Sequence, residues 1–220
     1  MTFERPDGRW ELRITASAWD AVRDDPTFQM ALLLARMVDA IKFGLSGLNM
    51  VRGIDSPGAD RQRAGLIIYL ASTVNELLAF RKQHPGLFGS NSILTHPYSA
   101  MDAVSIPDHV KAAMGRLRNQ SVFHFDPTVV QAAITHVPSQ ELVLVSGEGN
   151  HTLNLSYDLM DILMLASAFN LGGDLSALRQ HANQLMDAAL AMATAFVTTA
   201  DDVVLEALVR YGASTREIRS

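Results

Sequence analysis

Between Pro26 and Gly53 the apolar residues Leu34, Val38, Ile41, Leu45 and Leu48 recur at intervals of three and four. A strand would carry them at every second position, so this spacing demands a long helix buried along one side. Pro26 suits the first turn of that helix, where the missing N–H costs nothing, and Gly53 suits its end. A second run of the same kind, from about Arg61 to His84, carries Leu66, Leu70, Val74, Leu77 and Leu78. The second run follows "SPGADRQ", and so short a link after Gly53 predicts an antiparallel helical hairpin.

The rest of the chain reads mostly the same way. "RWELRITASAW" alternates briefly like a strand and then meets Ser17, a candidate cap for a short helix. The stretch from Gly86 to Pro107 is rich in Gly, Ser, Asn and Pro; a loop of that length either serves a function or holds a short helical turn of its own. His96 and Tyr98 fall inside it and are not assigned to a site. A third helix is expected from Pro107 to Asp126, stopped by Pro127. "QELVLVSGEGNHTLNLSYD" predicts a β-hairpin near residues 141–155, the one persuasive β element. Helices are then expected from Tyr157 to Asn170 and from Asp174 to about Val197. "TTADD" offers a cap for a last helix through Leu208 to Tyr211. The expected architecture is a mainly α bundle with a small β-hairpin, one domain over residues 1–220.

The 220 residues, 48% of them apolar, suffice for one sizeable core. With no cysteine, disulfides, thiolate metal sites and cysteine nucleophiles are excluded. The start "MTFERPDGRW" lacks the apolar run of a signal peptide, and the apolar stretches "GLIIYLAS" and "LMDAALAMATAFV" are broken by polar residues short of a bilayer's thickness. A cytoplasmic protein with no membrane span is the expectation. A net charge of -5 opposes nonspecific coating of long nucleic acids but leaves room for a small basic cleft. Of the 18 basic residues 15 are arginine, which suits bidentate phosphate contacts, although a codon bias would give the same ratio.

Chemistry concentrates in "RNQSVFHFD", residues 118–126. Histidine titrates near neutral pH and serves as acid or base; arginine stays charged and matches phosphate oxygens with its planar fork. Asn119 can position a hydroxyl or phosphate, and Asp126 lies close in sequence. On a continuous helix Arg118 and His124 stand about 9 Å apart along the axis and about 120° apart around it. Within one chain they diverge, so joint action requires two copies about a twofold axis. The competing reading has His124 continuing the apolar stripe of Val110, Met114 and Leu117 as a packed histidine, with Arg118 solvated.

With Arg118 and Asn119 followed by His124 at the end of a helix in a helical chain, the sequence resembles the HEPN superfamily (higher eukaryote and prokaryote nucleotide-binding domains). The resemblance rests on these nine residues and, loosely, on the helical frame, with a HEPN-like core spanning about 26–200. It implies a metal-independent endoribonuclease of a toxin or defence system whose site is shared between two subunits. Arg118 and His124 are then catalytic, and Asn119 is a substrate-binding residue; Asp126 is added to the substrate-binding set from proximity. The implied partners are a second copy of the chain, RNA or a nucleotide, and an inhibitory protein. No cofactor or metal is expected. Many HEPN members serve in complexes without catalysis, so the alternative is a noncatalytic helical interaction or dimerisation module; a small-ligand sensor under the 86–105 loop is a third reading.

Three further features of the sequence are weaker. Asn75 and Glu76 interrupt an apolar helix and are candidates to line the same cleft. Arg36, Asp39 and Lys42 have ion-pair spacing on the first long helix, the usual signature of a solvated face. "GEGN" and "LGGD" read as a turn and a helix break.

Overall fold

Asp25 accepts hydrogen bonds from the backbone N–H groups of Thr27, at 2.7 Å, and Phe28, at 3.1 Å, and so starts the first long helix. In the computed structural model, which describes residues 9–54, 57–89, 92–117, 131, 163–171, 177–211 and 214–218, that helix is α2, Pro26–Val51. Pro26 occupies its first turn and Gly53, with φ of 79°, follows its end. Before it comes α1, Ala16–Val22. The α1 cap is Thr15, whose hydroxyl accepts from Ala18 N–H, and not Ser17, which lies inside the first turn.

Helix α3, Pro57–Gln83, starts earlier than the expected Arg61, with Pro57 in its first turn and most of "SPGADRQ" helical, and returns along α2 as the expected hairpin. Gly44 and Gly47 let the two approach closely: a Cβ on Gly47 would lie 2.6 Å from Leu66 Cδ2 and one on Gly44 3.1 Å from Leu70 Cδ1. The Gly/Ser/Asn/Pro-rich stretch then folds into a 3-10 turn, Pro85–Leu87, and a helix of its own, α4, Thr95–Asp102. Pro97 sits in the first turn of α4, where no intrahelical N–H bond is lost. Helix α5, Asp108–Leu117, buries Val110, Ala113, Met114 and Leu117 along one side. Residues 163–169 form α6.

The largest departure from the sequence expectation is α7, Leu178–Arg210, a single helix of 33 residues that passes straight through "TTADD". Neither Thr199 nor Asp201 acts as a cap. The Thr199 hydroxyl donates to the carbonyl of Ala195 one turn back, 3.1 Å away, and the Asp201 carboxylate meets Lys42 Nζ of α2 at 2.7 Å. Thr and Asp permit a break without forcing one; Ala200, fully buried between them, holds the helix to the core.

Helix α7 is the axis of the bundle, packed against α2, α3, α4 and α5. Leu34, Ile41, Leu70, Val74, Tyr98, Met114, Leu185 and Phe196 meet in one cluster, each at most 1% exposed. The fold is therefore mainly α. By length and apolarity the segment Gln62–Gln83 of α3 and the whole of α7 are sufficient to cross a membrane, which was not expected from the sequence because polar residues interrupt the apolar runs of both. Their buried residues Leu70, Val74, Leu185 and Phe196 face one another in this shared core.

A strand at Arg9–Arg13, β1, was expected; its partner was not. It pairs antiparallel with β2, Ser214–Ile218, from Arg9 opposite Ile218 to Arg13 opposite Ser214. The β-hairpin expected near 141–155 lies outside the described residues. A small second cluster joins Phe28 to Leu208, with Trp19 and Tyr211 edge-on to the Phe28 ring at 5.9 and 5.5 Å. Tyr211 O–H donates to the Asp25 carboxylate at 2.8 Å. That bond, with the N–H of Phe28, holds the Asp25 carboxyl below its ordinary range, so one carboxylate caps α2 and ties down the end of α7.

Candidate functional site

Of the residues singled out in the sequence, Arg118, Asn119, His124 and Asp126 lie outside the described residues. What is described is the helix leading to them and the surface around it. Val110, Met114 and Leu117, the stripe that precedes the motif, are all buried at 1% exposure or less. Apolar burial therefore fixes the rotation of α5 about its axis up to the residue before Arg118.

The opposite side of α5 borders an open cleft of about 590 Å³ between α3, α5 and the α4–α5 connection. Its polar lining comes from Asn75, Arg81 and Lys82 of α3, Asp102 of α4, and Asp108 and Lys111 of α5. Its apolar lining includes Met101, Ile106 and Met192. Asn75, a weak sequence candidate for the cleft of the motif, lines this one, close to Gly115 of α5. Gly115 keeps that wall low: a Cβ there would come 3.9 Å from Asn75 Oδ1.

One pair dominates the electrostatics of the cleft. Arg81 donates from Nη1 and Nη2 to the two carboxylate oxygens of Asp102, at 2.5 and 2.8 Å, and its guanidinium lies 5.4 Å from the centre of the Tyr98 ring. The bond lowers the Asp102 carboxyl below its usual range and raises the guanidinium further. Lys111 adds to the depression of Asp102. Tyr98 itself is 1% exposed, wedged edge-on between Phe88 and Phe196, and burial pushes its phenol well above the ordinary tyrosine value. It is a core residue and carries the pair from below.

A second group of polar side chains joins α5 to α6 and α7. His109 Nε2 and Gln184 Oε1 are 3.0 Å apart, and the His181 ring stacks on Phe169 with centroids 4.8 Å apart. The His109 and His181 rings meet edge to face at 5.5 Å. Buried His181 Nδ1 has no hydrogen-bond partner among the described residues. Nearby, Arg116 Nε donates to the carbonyl of Ala168 at 2.5 Å and clamps the last turn of α5 to α6. Among the described residues no group of three or more His, Asp or Glu has the geometry of a metal site.

The sequence reading missed Arg81, Lys82, Asp102 and Lys111. They come from three helices and have no spacing that links them. The only available signal was the long polar loop, whose α4 supplies Asp102. No family model, curated protein or solved structure matches this chain.

Proposed function

We propose that this chain is a HEPN-like protein acting on RNA as a metal-independent endoribonuclease, with Arg118 and His124 as its catalytic pair and Asn119 and Asp126 as substrate-binding residues. The observation that carries this reading is the cleft beside α5. Lys111 and Gly115 lie on its wall, and Arg118 follows Gly115 by three residues, so chain connectivity keeps their Cα atoms within about 11 Å of each other. Lys82 and Lys111 give the cleft cationic groups suited to a phosphate backbone.

In the proposed reaction an imidazole removes the proton of a ribose 2'-hydroxyl, and the oxygen attacks the adjacent phosphorus. The phosphorus–O5' bond breaks as the leaving oxygen takes a proton from a second imidazole. The Arg118 guanidinium stabilises the charge that grows on the phosphoryl oxygens. Two imidazoles are needed, so the site uses two copies of the chain.

The test incubates purified protein with mixed RNA in chelator. Cleavage should persist, leave 2',3'-cyclic phosphate ends, and fall by about 10²-fold or more in His124→Ala. Arg118→Lys should also be impaired, because an ammonium lacks the bidentate fork. A folded wild type inert on every RNA would leave the noncatalytic interaction module as the better reading, which is favoured by a separate observation: the exposed apolar residues of α2.

A further inference from the structure

Helix α2 turns one side to the core and leaves another uncovered. The uncovered side carries Gln29, Leu32, Arg36, Asp39, Phe43 and Ser46, all exposed, at alternating intervals of three and four residues. Leu32 is 42% exposed and Phe43 66%, and Met50, 77% exposed, continues the same line. Three or four residues between successive members is the spacing of a helix seam that meets another helix. It runs opposite the stripe that α2 already buries through Leu34, Val38 and Ile41.

The order of residues along this seam is symmetric. About the midpoint between Met37 and Val38, Arg36 mirrors Asp39, Leu32 mirrors Phe43, and Gln29 mirrors Ser46. Two antiparallel copies of α2 crossing there would stack cation on anion, apolar on apolar and polar on polar, each layer occurring twice. Ala35 and Ala40 flank the central charges, two small side chains that let the helix axes approach. Arg36 and Asp39 already pair within one chain at 2.7 Å, with side chains 74% and 76% exposed. A second copy would close them into a ring of four alternating charges around the twofold axis.

From this register we infer that the outer face of α2 is a self-association surface, on which a second copy of this chain docks antiparallel about the midpoint between Met37 and Val38. The occupant is set by complementarity: from Gln29 to Ser46 the seam offers to its own image a partner of matching chemistry at each position. Other proteins would have to reproduce that charge order. The inference does not depend on any role for Arg118 or His124.

The experiment exploits the charge layer. Sedimentation of the wild-type chain at up to about 0.5 mM should show a reversible dimer. Arg36→Asp alone and Asp39→Arg alone set like charges against each other in both layers, and each should weaken dimerisation at least about tenfold. An equimolar mixture of the two variants should form a heterodimer, and the doubly reversed chain a homodimer, because each restores opposite charges. A wild type monomeric over the whole range, or a dimer indifferent to the single reversals, overturns the proposal. Because the chain has no cysteine, an independent check is direct. A short bifunctional maleimide should link Leu32→Cys chains to Phe43→Cys chains far more than it links either variant to itself; equal linking in all three samples would also overturn it.

Discussion

Two arginine–aspartate pairs on this protein have the same chemistry and different origins. Arg36 and Asp39 lie one turn apart on α2, share a single short contact and stand in solvent. Arg81 and Asp102 lie 21 residues apart on different helices, meet through both carboxylate oxygens, and rest beside the ring of a buried tyrosine. The first pair could be read from the sequence, because helical geometry alone brings residues i and i+3 together. The second exists only because α4 forms inside a stretch that reads as a loop. An exposed local pair adds little to stability, whereas a pair spanning two helices depends on the core beneath it and reports on it.

The strongest way to break the contrast is to remove that support. Tyr98→Ala should destabilise the fold by about 3–5 kcal/mol, the range for deleting a large buried aromatic ring, and should loosen the Arg81–Asp102 pair as well. Tyr98→Phe separates the ring from its hydroxyl. Among the described residues that hydroxyl approaches only Met37 Sδ, at 4.0 Å, so the loss should stay below about 1 kcal/mol. Denaturant unfolding of the three chains measures both, and equal losses in the two variants would show that the hydroxyl matters more than the ring.

A smaller effect is expected from the pair itself. Asp102→Asn should cost about 0.5–1 kcal/mol at neutral pH, since Arg81 is a third exposed and Asp102 about half exposed. The sign of the pH dependence follows from the lowered Asp102 carboxyl. A carboxylate with a depressed folded-state pKa contributes stability in full above its unfolded value, near 3.9, and loses it as pH falls through the folded value. The difference between wild type and Asp102→Asn should therefore be constant from neutral pH down to about 5 and shrink below about 4. A difference growing as pH falls would contradict the depressed carboxyl.

The smallest effect is predicted for the local pair. Arg36→Ala should change the stability of the single chain by less than about 0.5 kcal/mol in dilute solution, where self-association is negligible. A loss as large as that of Asp102→Asn would erase the distinction between the two pairs.

The amino-acid sequence by itself determined the helices whose apolar spacing is strong and whose ends carry hard stops. Pro26 opens α2 and Gly53 follows it, and the hairpin with α3 follows from the short link between them. It also determined the buried stripe of α5, Val110, Met114 and Leu117, and the residues of the motif that begins at Arg118. The tertiary structure alone decided three other things. Helix α7 continues through "TTADD" because Lys42 engages Asp201 and the core holds Ala200, so a permissive break was never used. A polar stretch became α4 because Leu94, Tyr98 and Met101 found a core to enter, each at most 1% exposed. Strand β1 gained its partner, and the cleft its charges, from residues far apart in the chain. Local rules act over one or two turns of helix, and a contact between distant residues is settled only when the whole chain has found which surfaces can be buried together.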